Sequence, residues 1–398
     1  MTTSLTNNAL KRRIKKYFPK EKLEIFIPCP TGLVEVAKQD LSLLNLNINC
    51  VKNEGLQLTG DWKTVYALNL HSGVGNRVLV RIAEFYVGSY PELFQKLKRI
   101  HWEVFIGNHS AYSLKISAKK SRLHHTGNIG RTCEECIENT MNSFELNIKN
   151  SKDASIKFYI RIFQDRCQIS LDTTGDHLYK RGYRKFVGNA PIRENIVRGL
   201  LKTAGELPNI LVDPFCGSGT IAFEYIFLKW NQAPGLIRKF SFEDFPYFQK
   251  KRWQDLKDLA REKIHKTPLK VFLNDLDKNV ITELQKEIRI LQLEEFIELK
   301  NMDFNLFLEQ VAISEKFILI SNLPYGKRIN IPLVNMFNLL KKELSRLQEN
   351  VKYGLIIEKE MYQMYKEVFN LESDRETAKT LKFKNGGLNT LFLLRNDE

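Results

Sequence analysis

Nowhere does the chain hold an apolar run approaching the about eighteen residues of a membrane-spanning helix, which excludes that class of protein. Cysteine is scarce, with 6 in 398 residues. Cys29, Cys50, Cys133, Cys136, Cys167 and Cys216 are too scattered for a disulfide framework and read as reduced thiols of a cytoplasmic protein. Acids are missing from the first twenty residues, which carry six Lys or Arg and neither an apolar stretch nor a small-residue cleavage site, so no secretory leader is expected. Internal repeats and low-complexity tracts are missing too, against a solenoid or fibrous architecture. What is present, 43% hydrophobic and 27% charged residues, is the composition of a globular protein. The length suits two to four domains of roughly 100 to 200 residues.

The formal charge of +15, from 61 Lys and Arg against 46 Asp and Glu, favours a polyanionic partner, by default a nucleic acid. Three places concentrate it. The segment Lys11 to Lys16 reads as part of a basic flexible tail over 1–21, with no specific role. Between Lys115 and Glu134 lies an acid-free stretch holding Lys119, Lys120, Arg122, His124, His125 and Arg131, suited to phosphates. In Tyr179 to Lys185 the cations Lys180, Arg181 and Arg184 interleave with aromatics such as Tyr183, a pattern suited to RNA with unpaired bases.

Short strands and helices alternate from Lys22 to about Ile169, which implies an α+β half. A polar, basic linker is expected over 173–190. Beyond Pro191, continuous apolar strands alternate with helices: Ile210 to Val212, Val271 to Leu273, Phe317 to Ile320 and Gly354 to Ile357. That rhythm means a parallel sheet covered on both faces, a doubly wound α/β fold. Two strands around Asn385-Gly386-Gly387 form an antiparallel hairpin that closes it.

Three motifs fall at strand ends. Asp213-Pro214-Phe215-Cys216-Gly217-Ser218-Gly219-Thr220 joins a strand to a helix, so its glycines allow close backbone approach and the helix start offers free N–H groups to a nucleotide-like cofactor. It lacks the third glycine of the dinucleotide fingerprint and the Gly-Lys-Ser/Thr of a P-loop. Asn274-Asp275-Leu276-Asp277 ends the next strand, where Asp275 is placed to accept from two ribose hydroxyls and Asp277 to cap the following helix. Asp303 could meet an adenine amine or simply shape a turn. Ser321-Asn322-Leu323-Pro324-Tyr325 follows a further strand. Amines on nucleobases are poor nucleophiles because the nitrogen lone pair is delocalised into the ring. The Asn322 side-chain oxygen and the Leu323 carbonyl could localise that pair, with Tyr325 stacked on the base. Cys133-Glu134-Glu135-Cys136 lacks a second pair at ligand spacing, so no metal is expected. Cys216 has no identifiable base. Trp230 and Trp253 read as packing residues.

In this order the motifs resemble those of class I S-adenosylmethionine-dependent amino-methyltransferases. Gly175 to Arg184 with Ala190 to Asn195, and the insertion Ala233 to Phe240, are similar to the THUMP-containing large-subunit ribosomal RNA methyltransferase L family. The resemblance implies a ferredoxin-like subdomain over 22–70, a THUMP RNA-binding domain over 71–172, and a Rossmann-like catalytic domain over 191–398 with an insertion near 231–268. It implies S-adenosyl-L-methionine as donor, held by Asp213, Pro214, Phe215, Cys216, Gly217, Gly219, Thr220, Asp275 and Asp303. Asn322, Leu323, Pro324 and Tyr325 would act on a guanine N2 amine of 23S ribosomal RNA, with Lys119, Lys120, Arg122, Lys180, Arg181, Tyr183 and Arg184 on the RNA. Where the family usually has Asn-Pro-Pro-Tyr, Leu323 replaces the first proline, which keeps the carbonyl but lowers rigidity. The Leu form is also similar to enzymes that methylate a transfer RNA guanine. A DNA adenine methyltransferase and a non-catalytic ribosome-assembly factor are the remaining alternatives.

Overall fold

The computed structural model describes residues 2–51, 54–109, 111–184, 192–311, 313–324, 332–347, 351–371 and 379–395, with backbone only over 2–7. Two sheets organise it. The first has eight strands: β1 (Leu23–Pro28), β2 (Asn49–Val51), β3 (Gly55–Gly60), β4 (Leu79–Tyr86), β5 (Ala111–Lys119), β6 (Lys149–Asn150), β7 (Lys157–Phe163) and β8 (Arg166–Asp172). Their order is β2-β3-β1-β4-β8-β7-β5-β6. Because β1 pairs with β3 on one side and β4 on the other, the segments 22–70 and 71–172 share one continuous sheet.

The second sheet holds β9 (Ile210–Asp213), β10 (Lys270–Asn274), β11 (Ile297–Lys300), β12 (Phe317–Asn322), β13 (Val351–Glu358), β14 (Lys379–Asn385) and β15 (Leu388–Arg395), ordered β11-β10-β9-β12-β13-β15-β14. β9 to β13 run parallel, and the β14–β15 hairpin adds antiparallel to β13. The apolar runs seen in the sequence are buried on both faces, fully so in β9. Strand order reverses between β9 and β12, and a doubly wound sheet opens its ligand crevice beyond the carboxyl ends of the strands at such a point.

Two segments read as a flexible tail and a linker have defined structure in their described residues. The supposed tail is a helix, Thr2–Tyr17, anchored by Leu10 at 2% exposure and by the Arg13–Glu103 pair at 2.7 Å. The supposed linker is packed against the body at several points as far as residue 184: Thr173 and Thr174 are fully buried, and Asn69 Nδ2 donates to Thr173 Oγ1 at 2.9 Å, while Asp176, Lys180 and Gly182 are exposed. Residues 185–190 lie outside the described residues. The two halves meet through helix Glu194–Thr203, where Asn195 Nδ2 donates to Val74 O at 3.1 Å and Arg198 pairs with Asp40 at 3.5 Å. The insertion packs back on the N-terminal half, with Phe242 at 4.7 Å and Trp253 at 6.2 Å from the Tyr66 ring. Trp230 and Trp253 are each 2% exposed, as packing residues should be. Among the described residues no helix is long and apolar enough to cross a membrane.

Candidate active site

Asp213 ends β9 with no solvent exposure, accepting from Ser321 Oγ at 2.5 Å and Phe215 N at 3.2 Å. Its Oδ2 has no hydrogen-bond partner among the described residues. Burial pushes this carboxyl up to about 7, against the opposing pull of the Ser321 hydroxyl. The Ser321 bond ties the end of β12 to the end of β9, where Leu319 already faces Val212 in the ladder. The ends of both strands therefore lie side by side at the crevice.

The loop after β9 turns on two glycines in the left-handed region, Gly217 at φ 51° and Gly219 at φ 72°, the second capping helix Thr220–Lys229. A Cβ at Gly217 would project into open space, so no side chain obstructs approach to the backbone there. Gly219 has the opposite reason to be glycine: a Cβ there would meet Leu284 Cδ1 at 2.6 Å. Asp275 Oδ2 accepts from Gly217 N at 3.0 Å and its Oδ1 from Asp277 N at 3.0 Å. Each carboxylate oxygen has a further lone pair, so capacity for ribose hydroxyls is left. Asp277 caps helix Lys278–Ile290 through Asn279 N at 2.9 Å, and Asp303 caps Phe304–Gln310 through Asn305 N at 2.9 Å. Phe215 packs on Phe304 with ring centroids 4.9 Å apart, and Thr220 is buried at the helix start. The Cys216 thiol is buried and driven well above its ordinary value by burial and by Asp213 and Asp275, which suits a packing group rather than a nucleophile.

At the end of β12 Asn322 is half-buried and faces Ile356 in the β12–β13 ladder. Leu323 is fully buried, and its N–H donates to Ile356 O at 3.0 Å. That bond bears on the expected loss of rigidity. A proline has no N–H to make it, so leucine gains a ladder bond and a core anchor in place of a fixed dihedral. Pro324 follows, half-buried. Tyr325 lies outside the described residues.

Three of the expected RNA contacts are interior. Arg181 is 2% exposed and donates to Glu224 at 3.1 Å, Leu178 O at 2.9 Å and Gly73 O at 2.6 Å. Tyr183, 5% exposed, donates to Glu224 Oε1 at 3.2 Å. Arg184 reaches Glu194 at 3.1 Å and bonds Ser218 of the glycine loop. These side chains have no face to offer RNA; they join the N-terminal half to the loop that shapes the crevice. Lys119, Lys120, Arg122 and Lys180 are exposed, although Arg122 pairs with Asp165 at 2.9 Å and Lys180 with Asp176 at 3.2 Å. Cys133 and Cys136 are buried on the inner face of helix Thr126–Asn142, and burial pushes Cys136 up to about 11.

Two buried groups escaped the sequence reading. Asn274 Nδ2 donates to Pro214 O at 3.3 Å and Met302 O at 3.0 Å, its Oδ1 accepts from Met302 N at 3.1 Å, and its carbonyl accepts from Cys216 N at 2.9 Å. One residue thus staples the loops after three strands. Glu224 was detectable as a lone acid inside the apolar helix Thr220–Lys229, since a buried carboxylate calls for a buried cation.

The crevice fits S-adenosylmethionine: an open backbone approach at Gly217, free N–H groups at a helix start, and a carboxylate at the next strand end. A model for the RlmL ferredoxin-like domain matches residues 24–79, and one for the RMKL-like methyltransferase domain matches residues 181–390. The chain is 29% identical over 314 residues to "Ribosomal RNA large subunit methyltransferase K/L" of Psychromonas ingrahamii, covering 77% of this chain but only 42% of that relative. It is 30% identical over 312 residues to "Putative RNA methyltransferase slr0064" of Synechocystis, covering 76% and 80%. A solved structure from Clostridium difficile 630, described as a possible methylase, superposes with TM-score 0.80 at 29% identity over 94% of this chain and 98% of that one. A solved structure described as "SMU.472, a putative methyltransferase complexed with SAH" shares the fold with TM-score 0.83 at 24% identity over 96% of this chain and 99% of that one. From the match over more than half its length, the chain belongs to the family of RMKL-like methyltransferase domains.

Proposed function

We propose that this chain methylates the exocyclic N2 amine of a guanine in 23S ribosomal RNA, with S-adenosylmethionine as donor. The observation that carries the reading is the Ser321–Asp213 bond, which holds the strand end at Asn322 beside the strand that leads into the glycine loop, at the switch point of the sheet. S-adenosylmethionine supplies a methyl group on a positively charged sulfur that departs as a neutral thioether. Asp275 accepts from the ribose hydroxyls, the backbone at Gly217 and Gly219 follows the donor, and Asp303 bonds the adenine amine. The Asn322 side-chain oxygen and the Leu323 carbonyl accept from the guanine amine and draw its nitrogen toward tetrahedral geometry, aiming the lone pair at the methyl. Tyr325 stacks on the extruded base. Proton loss follows methylation, because the attacked nitrogen becomes acidic. Exposed Lys119, Lys120, Arg122 and Lys180 contact phosphates.

Leu323 in the acceptor motif supports a second reading, a transfer RNA guanine as target. Turnover with radiolabelled donor, on unmodified 23S ribosomal RNA and on unmodified transfer RNA, separates the two. Label in neither RNA would leave a non-catalytic assembly factor. Undiminished transfer by Asn322→Ala would refute the role of Asn322.

A further inference from the structure

The first twenty residues hold six cations and no acid, and the fold gives them a docked helix with two different faces. Leu10 and Phe18 are buried at 2% and 3% exposure, Ile14 packs on the same core, and Arg13 is committed to Glu103. On the other face Lys11, Arg12, Lys15 and Lys16 are exposed. Their spacing places them along one stripe of an α-helix. None of the four forms an ion pair with a described residue. The end of the stripe is fixed in place: Tyr17 stacks on His101 at 4.2 Å, and Arg13 and Lys16 each lie 4.9 Å from the Tyr17 ring centre.

There the helix meets a cleft of about 440 Å³ lined by Tyr17, Arg81, Arg99, His101 and Phe105 among others. Arg81 Nε and Nη1 are buried in it without hydrogen-bond acceptors. Its ion-pair partner Glu84 stands 3.6 Å away, and Glu24 faces it from β1. Arg99 is exposed on the rim.

We propose that the stripe Lys11, Arg12, Lys15 and Lys16, together with this cleft, is an RNA-backbone contact surface separate from the Lys119–Arg122 region. It deepens the RNA reading given above and rests on it. The four stripe cations, without an ion pair among the described residues and without acids on their own helix, suit a run of phosphodiesters. An anionic membrane is the less favoured polyanion, because a surface-lying helix must bury an apolar face in lipid and this one has already buried Leu10 and Phe18 in protein.

The test is binding of the full-length protein to a fluorescent 23S ribosomal RNA fragment across a salt series, wild type against Lys11→Gln/Arg12→Gln/Lys15→Gln/Lys16→Gln. The variant should bind at least about tenfold more weakly near physiological salt, and the slope of log affinity against log salt should fall by about 3. Thermal midpoint and S-adenosylhomocysteine binding should be unchanged, since the altered side chains are exposed. Equal affinities and slopes for the two proteins would overturn the inference and leave the proposed methylation standing. Failure of both to bind RNA would overturn the methylation reading as well. Binding to phosphatidylglycerol vesicles that is lost in the variant, with RNA binding intact, would assign the stripe to a membrane and overturn it too.

Discussion

Ser321 Oγ donates to Asp213 Oδ1 across 2.5 Å, joining the two strands between which the sheet reverses its order. Asn322 follows Ser321 directly, and Gly217 lies four residues past Asp213. A bond with no solvent access thus ties the strand end at Asn322 to the strand that leads into the glycine loop. Ser321→Ala should leave Asp213 with one backbone donor and cost about 1 to 3 kcal/mol of stability. Methyl transfer should fall more than S-adenosylhomocysteine affinity, which calorimetry and single-turnover kinetics would separate. Equal losses in both would place the bond in folding alone.

The same carboxyl makes a pH prediction. Asp213 titrates near 7 in the fold against 3.8 when free. A group raised on folding stabilises in full below its unfolded value and loses that contribution as pH climbs through the folded one. Stability should therefore decline from about pH 4 to about pH 7 by up to about 4 kcal/mol from this residue, at about 1.4 kcal/mol per unit. Thermal midpoints of Asp213→Asn should vary less over that window than those of the wild type.

Arg181→Ala should destabilise strongly, by about 3 to 5 kcal/mol, because it leaves Glu224 buried and uncompensated. Replacing both partners by Met and Leu should recover much of the loss. Urea denaturation measures this. RNA affinity of the folded double variant should match wild type, in contrast to Lys119→Gln/Lys120→Gln, which should weaken binding.

Arg184→Ala should act on the donor site through Ser218 and expose Glu194 to burial without its cation. The expected outcome is weaker S-adenosylhomocysteine binding by calorimetry, with the salt dependence of RNA binding unaltered. An Arg184 that contacted phosphate would instead lower the salt slope by about 1.

Leu323→Pro restores the commoner family form but removes the donor to Ile356 O. It should lower the thermal midpoint, at a cost of about 1 kcal/mol or more, with donor affinity unchanged.

The parallel sheet was legible because β9, β10, β12 and β13 are continuous apolar runs, a pattern that burial on both faces forces. The strand-end positions of Asp213, Gly217, Gly219, Asp275 and Asn322 were legible because each motif directly follows one of those apolar runs. The interior pairs were not. Arg181 and Arg184 sit in a stretch as basic as any surface loop, and their partners Glu224, Glu194 and Ser218 are separated from them in sequence. Only the fold reveals that Gly73 O and Glu224 close around Arg181. The N-terminal helix escaped for a related reason. Its apolar residues Leu10, Ile14 and Phe18 are spaced by four, but they stand among cations whose density suggested a solvated tail.

Mass mapping of modified nucleosides in 23S ribosomal RNA from cells lacking this protein tests the central claim most directly. One N2-methylguanosine should vanish, return with the wild-type gene and stay absent with Asn322→Ala. Unchanged N2-methylguanosine in the deletion strain, or full restoration by Asn322→Ala, would contradict the account.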